Sequence, residues 1–346
     1  MARAVEGVAR RSSERLEEWS TSGVCGCPST TGSEPELTRT ITSFQSTDPI
    51  TKTNGGATTV RAAPALAEQV QKRALGWIPD VPKPSDYTPS HPEVANLVAK
   101  TAVATALALA PKVDLSPNFP PIEDQQSIGS CTAQAAAGLY EYFERKAFNK
   151  HTDVSRLFIY KTTRDLLGWT GDTGAYLRST MEALVLLGAP PEHYWPYDTA
   201  QYDVEPPSFV YALGSKFTAT KYFRLDPNGA SGAQVLENLR RFIAAGFPSM
   251  FGFPVYREFD NPSPGGLIGF PSGAGYRGGH AIDAVGYDDN LVINGDKGAL
   301  RVRNSWGTGW GDNGYGWMSY RYVTEGLATD WWSLISAGYV DTGHFA

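Results

Sequence analysis

Asp124-Gln125-Gln126-Ser127-Ile128-Gly129-Ser130-Cys131-Thr132-Ala133 is the stretch from which the rest of the chain is read. A turn-rich approach ends in a lone cysteine, and a helical pattern starts on top of it. Ser130 takes the N-cap position. Apolar side chains at Ala135, Leu139, Tyr142 and Phe143 then fall on one helical face, within residues 131–146. The small residues Ala133, Ala135, Ala136, Ala137 and Gly138 let such a helix pack close to its neighbours. A thiol in a first helical turn lies at the positive end of the helix dipole, which predicts a lowered pKa for Cys131. Taken alone, a single cysteine on a small-residue helix is most often a core residue.

Two distant stretches change that balance. Gly278-Gly279-His280-Ala281-Ile282-Asp283-Ala284-Val285-Gly286-Tyr287 carries one histidine into a β-like run, and Arg303-Asn304-Ser305-Trp306-Gly307-Thr308-Gly309-Trp310-Gly311 comes after it. Cysteine, histidine and asparagine in that order, with Gln125 six positions before Cys131, resemble papain-like cysteine peptidases (clan CA, C1 type). The form resembled is the disulfide-poor one met in prokaryotes, and the likeness spans residues 113–339.

The resemblance implies an α+β, papain-like two-domain fold. Its helical half covers about residues 125–207 and its antiparallel, β-barrel-like half about 208–340, with the cleft between them. It implies Cys131 as nucleophile and His280 as the proton-holding partner, the two in hydrogen-bond reach across the cleft. Asn304 orients the imidazole, and Gln125 with the Cys131 backbone N–H receives the tetrahedral oxyanion. Gly174, in the loop Trp169-Thr170-Gly171-Asp172-Thr173-Gly174-Ala175-Tyr176, and Gly279 are expected along the substrate. Trp306 is expected to shield the His280–Asn304 bond, and Trp310 to wall the leaving-group side. No metal or cofactor is implied. Three positions depart from the family pattern. Ile128 stands where a disulfide cysteine is usual, Thr132 replaces a large aromatic, and Gly279 precedes the histidine where Asp or Asn is common. They leave the catalytic groups in place and alter the substrate pocket.

The 346 residues, 41% hydrophobic and 12% aromatic, suffice for a substantial core in one or two domains. A net charge of −6 without a basic stripe argues against nucleic acid as a partner. The most apolar run, 101–110, is about half the roughly 20 residues of a membrane span. With no secretory signal evident, a cytoplasmic location is favoured. Residues 1–60 read as a disordered tail, in which Cys25 and Cys27 are incidental thiols without further ligands nearby.

Residues 61–112 read as a segment ahead of the catalytic domain at 113–346. It holds a short helix over 64–75, a proline-rich extended run anchored by Trp77, Ile78 and Tyr87, and a helix over 92–110. Two roles stand open for 63–111: covering the cleft to restrain activity, or strapping the two halves together. Helices are expected over 155–167, 174–187 and 233–245, and strands over 217–225, 248–256, 280–287, 300–303 and 315–320. A hairpin insertion is expected over 288–298, and the Gly/Pro-rich loop 257–279 should border the cleft.

The function expected is hydrolysis of peptide bonds in extended polypeptides through an acyl-enzyme. An exopeptidase or transpeptidase with the same site is the alternative within enzymes. A non-catalytic binding protein on the same fold is the alternative outside them, although binding alone requires none of Cys131, His280, Asn304 and Gln125.

Overall fold

The computed structural model describes residues 73–100 and 108–337. Cys25, Cys27, the tail over 1–60 and residues 64–72 of the first expected helix lie outside that range. In chain order the elements are α1 (Pro92–Ala99), β1 (Lys112–Asp114), α2 (Cys131–Phe148), α3 (Arg156–Leu166), α4 (Leu177–Leu186), α5 (Ser208–Gly214), β2 (Ala219–Arg224), α6 (Gly232–Ala244), β3 (Ser249–Val255), α7 (Arg257–Asp260), β4 (Leu267–Ile268), β5 (Gly278–Ile293), β6 (Asp296–Arg303), β7 (Tyr315–Ser319), α8 (Arg321–Thr324) and β8 (Thr329–Ala337).

A helical half built on α2 faces a half built on one sheet. The sheet order is β2-β8-β3-β5-β6-β7-β4, with β1 added to β5, and every pair is antiparallel except β4–β7. α2 is central: its residues from Cys131 to Glu144 are buried, and it packs on β5. Its small side chains permit that approach. Leu139, Tyr142, Leu157, Ile159, Met181 and Leu184 form the helical core; Phe251, Phe253, Ile282, Val302, Met318 and Trp331 form the β core. Val94 and Val98 of α1 are buried in the β core, although α1 lies in the segment expected to stand apart from it.

Several expected elements differ in extent. Residues 73–75 are not helical, and the helix begun at Pro92 ends at Ala99. The fourth helix starts at Leu177 instead of Gly174. The hairpin after β5 turns on Asn294-Gly295, both with positive φ, the two-residue geometry that suits twisted antiparallel strands. Ser130 does take the N-cap position of α2. Its hydroxyl, however, is engaged 2.7 Å from the Tyr197 hydroxyl and caps no backbone N–H.

Candidate active site

Cys131 opens α2 on the helical side, and His280 lies near the start of β5 on the other. β5 and β6 pair with Asp283 opposite Arg303, and continuing that register brings Asn304 and Trp306 to the level of His280. His280 Nε2 and Asn304 Oδ1 are 2.8 Å apart. The Ser305 backbone N–H donates to the same Oδ1 at 2.8 Å, which fixes the amide's orientation. That oxygen can only accept, so the imidazole proton is on Nε2 and Nδ1 offers its lone pair. Trp306 stacks on the imidazole with ring centroids 4.8 Å apart.

Cys131 and His280 are both fully buried, and burial sets their charge states. Desolvation pushes the thiol up to about 11, against the pull of the Ala281, Gly76, Thr132 and Cys131 backbone amides. It pushes the imidazole down to about 4, with the Asn304 bond acting the other way. The expected lowering of the thiol pKa is therefore overridden: a helix terminus favours the thiolate less than exclusion of water disfavours it. The expected sulfur–imidazole hydrogen bond is likewise unformed, and His280 Nδ1 has no partner. Burial thus favours the neutral form of both groups.

Gln125 sits fully buried between the two halves. Its Oε1 accepts from the Ser305 hydroxyl at 2.8 Å, its backbone N–H donates to the Ser305 carbonyl at 2.8 Å, and the Tyr197 hydroxyl donates to its carbonyl at 2.9 Å. These bonds aim Nε2, which donates to Ile128 O at 3.2 Å and to Ala74 O at 3.0 Å. Ala74 belongs to the extended run that begins the described chain. Sequence reasoning did not single out Ser305 or Tyr197 as supports of Gln125; Ser305 stood inside a quoted motif, while Tyr197 carried no local signal.

That run covers the site. Arg73 makes a bidentate pair with Asp124, at 2.5 and 2.7 Å, and the Gly76 backbone amide meets the Cys131 sulfur. Trp77 N donates to Gly279 O at 3.1 Å. Ala175 N donates to Gly76 O at 2.8 Å and Ile78 N to Ala175 O at 3.1 Å, so Trp77 and Ala175 form a parallel bridge. Arg178 of α4 then holds Asp80 at 2.6 Å, the Val81 carbonyl at 3.0 Å and the Asp86 carboxylate. The loop before β5 borders the same run: Arg277 donates to the Arg73 carbonyl at 3.3 Å.

The remaining expected residues take varied places. Gly174 N donates to the Tyr160 hydroxyl at 3.0 Å, and the backbone pairing with an extended chain falls one residue later, on Ala175. Gly174 serves the approach instead: with φ at +73°, a Cβ there would stand 2.1 Å from the Gly76 carbonyl oxygen. Asp172 accepts from Gly129 N and the Tyr160 hydroxyl, which fastens its loop to the turn before Cys131. Gly279 meets the covering run through its carbonyl. Trp310 is built into the β core, its indole donating to Phe259 O at 2.9 Å and its ring packing on Phe259 and Trp306. Among the described residues no cluster of His, Cys, Asp and Glu suits a metal ion, and no helix is long and apolar enough to cross a membrane.

Comparison with known proteins gives one consistent answer. Residues 110–332 match the model of the papain family of cysteine proteases. An uncharacterised peptidase C1-like protein of Acanthamoeba polyphaga mimivirus is 38% identical over 61% of this chain and 68% of its own length. Among solved structures, the cysteine protease xylellain of Xylella fastidiosa is 32% identical. It matches with a TM-score of 0.64 over 77% of this chain and 97% of its own. Bromelain of Ananas comosus, 19% identical with a TM-score of 0.51, covers 67% of this chain and 100% of its own and shares the fold.

Proposed function

The chain belongs to the papain family of cysteine proteases and is a cysteine peptidase; from that premise we propose that Cys131, His280, Asn304 and Gln125 perform the chemistry, and that residues 73–79 hold the site shut until displaced. One observation carries this reading. Ala74 O accepts from Gln125 Nε2 at 3.0 Å, and the Gly76 amide meets the Cys131 sulfur, so the donor and the nucleophile both engage the same short segment.

Displacement lets water reach the pair, and the Cys131 proton passes to His280 Nδ1. The helix N-terminus and the neighbouring amides then favour the thiolate. The sulfur attacks a substrate carbonyl carbon. The developing oxyanion accepts from Gln125 Nε2 and the Cys131 backbone N–H, while Asn304 keeps the imidazole in plane through Nε2–H. His280 gives its proton to the leaving amine, and the C–N bond breaks to leave a thioester. A water, deprotonated by His280, attacks that thioester. The acid product leaves, and the proton returns to the sulfur.

The segment resists the same attack because it presents an amide N–H to the sulfur instead of a carbonyl carbon. Its parallel pairing with Ala175 also runs opposite to a substrate bound antiparallel on those backbone groups. Residues 73–80 pass from Asp124 at one end to Arg178 at the other, so chain lies on both sides of Cys131. That favours cleavage within polypeptides over trimming at an end.

The test uses the full chain carrying Arg73→Ala and Trp77→Ala. It should cleave a long unstructured peptide at internal bonds, and Cys131→Ser in that background should abolish turnover. Gln125→Ala there should lower kcat by roughly 10²–10³, about 2.7–4 kcal/mol of transition-state stabilisation. Unaltered turnover in either added variant defeats the assignment of that residue. A double variant no more active than the parent chain defeats the reading of 73–79 as a cover.

A further inference from the structure

Arg277 stands at the edge of the site on a fixed backbone, and one of its nitrogens serves the covering segment. Its backbone N–H donates to the Val255 carbonyl at 3.0 Å, which ties it to the end of β3 just before β5 begins. Nη1 of its guanidinium pairs with the Asp260 carboxylate. Asp260 closes α7 beside Phe259, a fully buried ring that packs on His280 and Trp306 and whose carbonyl accepts from Trp310 Nε1 at 2.9 Å. Nη2 donates to the Arg73 carbonyl at 3.3 Å. The side chain is 21% exposed, so it borders solvent as well as the segment.

Departure of the segment removes the Arg73 carbonyl and leaves the other partners. Val255, Phe259 and Asp260 belong to the β half, so the guanidinium stays aimed at the vacated path, and little ordering is needed to use it. Its place along the cleft follows from the segment. The Gly76 amide meets the Cys131 sulfur, the Ala74 carbonyl takes Gln125 Nε2, and the Arg73 carbonyl takes Arg277 Nη2. Ala74 and Arg73 are consecutive, with Cα atoms about 3.8 Å apart. A substrate puts the oxygen of its scissile carbonyl at Gln125 Nε2. It runs opposite to the segment, with its amino side at Ala175, so the residues that leave with the amine pass Arg277. Charge narrows what they present there. Asp260 balances Arg277, and Asp124 balances Arg73 across from it in the covered state. The guanidinium therefore offers a donor to a neutral carbonyl, without a net charge for an acidic side chain or a terminal carboxylate.

We infer that Arg277 is a substrate-binding residue of the leaving side, its Nη2 donating to a backbone carbonyl within the first two residues after the scissile bond. The inference rests on the reading of residues 73–79 as occupants of the substrate cleft. A backbone carbonyl recurs at every residue, so this contact favours polypeptide without selecting a side chain. It is absent from a substrate that ends at the scissile bond. With Ala175 on one side of Cys131 and Arg277 on the other, the chain is held by its backbone on both, as cleavage at internal bonds requires.

The experiment uses the full chain carrying Arg73→Ala and Trp77→Ala, alone and with Arg277→Met, which keeps an unbranched stem and removes the donors. The substrates share one acyl part and differ in what leaves: an aminocoumarin, a dialanine ending in an amide, or a dialanine ending in a free carboxylate. The ratio of kcat/KM for the dialanine amide to that for the aminocoumarin should fall roughly tenfold with Arg277→Met, the scale of one hydrogen bond from a charged donor. The Arg277 charge also disfavours protonation of His280, an effect common to every substrate that the ratio cancels. An equal fall for both substrates overturns the inference. So does a preference for the free carboxylate over the amide with Arg277 intact, which would make Arg277 a reader of chain ends. A second measurement leaves the protein unchanged: thioamides in place of the two alanine carbonyls are weaker acceptors and should lower kcat/KM several-fold, and an unaltered value overturns the inference. A thiol-directed epoxide separates the two layers. Labelling of Cys131 in the Arg73→Ala, Trp77→Ala chain supports the open cleft on which the inference rests. Failure to label overturns the reading of the segment as a cover, and the role of Arg277 with it.

Discussion

At the scale of the residue, the proposed reading gives Cys131 and His280 two electrostatic states. Burial pushes the Cys131 thiol up to about 11 and the His280 imidazole down to about 4, and the proposed reading assigns that burial to residues 73–79. A raised thiol pKa means less thiolate at neutral pH. Relative to the ordinary value of 9.0, a shift to about 11 leaves roughly a hundredfold less of it at pH 7. Alkylation of Cys131 by iodoacetamide in the parent chain is therefore expected to be at least about a hundredfold slower at pH 7 than in the Arg73→Ala, Trp77→Ala chain. It should still be climbing at pH 10, whereas the double variant should react at a rate nearly flat through neutral pH, its thiolate sustained by protonated His280. Stopped-flow or mass-spectrometric alkylation profiles measure this. Coincident profiles for the two proteins would show that the segment does not control the charge of the pair.

At the scale of the element, Arg178 tests how the segment is fastened. Its guanidinium is almost buried and serves Asp80, Asp86 and the Val81 carbonyl together, and the Asp86 side chain is only 3% exposed. Arg178→Ala leaves a buried carboxylate without its cation, which typically destabilises by about 3–5 kcal/mol. Adding Asp86→Asn should restore part of that loss. Urea unfolding of the three proteins at one pH decides it, and a loss below about 1 kcal/mol for Arg178→Ala refutes the fastening. Much of this architecture was legible in the sequence. Helical spacing after Cys131, short β-branched runs after residue 217, and the quoted Cys, His and Asn stretches locate the helical half, most of the sheet and the groups around His280. Strand β8 was not read. It lies between β2 and β3, Trp331 and Trp332 are both buried, and a strand covered on both faces has no alternation to betray it. The pairing by Ala175 in place of Gly174 was equally hidden, since a backbone pairing leaves no trace in side-chain pattern. The dipeptide Asn294-Gly295 did carry a hairpin signal that fixes the ends of β5 and β6.

At the scale of the whole molecule, the proposed reading assigns covering the cleft and strapping the domain to successive parts of one chain. Residues 73–79 lie across Cys131, and the chain beyond Asp80 wraps the β half. The Tyr87 carbonyl accepts from Arg224 N at 2.7 Å, Lys221 pairs with Glu93 at 2.6 Å, α1 buries Val94 and Val98, and the Ala110 carbonyl accepts from the Tyr287 hydroxyl at 2.8 Å. β1 then joins β5. The two parts separate by where the chain is made to begin. A chain starting at Pro79 loses Trp77 and the contacts over the sulfur but keeps the wrap. Its turnover should rise well above that of the full chain, with a loss in Tm of a few degrees from one unburied aromatic. A chain starting at Lys112 also loses two buried valines and both carboxylate partners of Arg178. Each valine contributes about 1.5–3 kcal/mol of burial, and at roughly 2–4 °C per kcal/mol for a domain of this size the fall in Tm should exceed about 10 °C. Its turnover per labelled Cys131 should be no higher than that of the Pro79 chain. Calorimetry and active-site titration on the three proteins measure both quantities. Equal stability of the two truncated chains would show that residues 79–111 are dispensable to the fold; equal turnover of the Pro79 chain and the full chain would show that residues 73–78 restrain nothing.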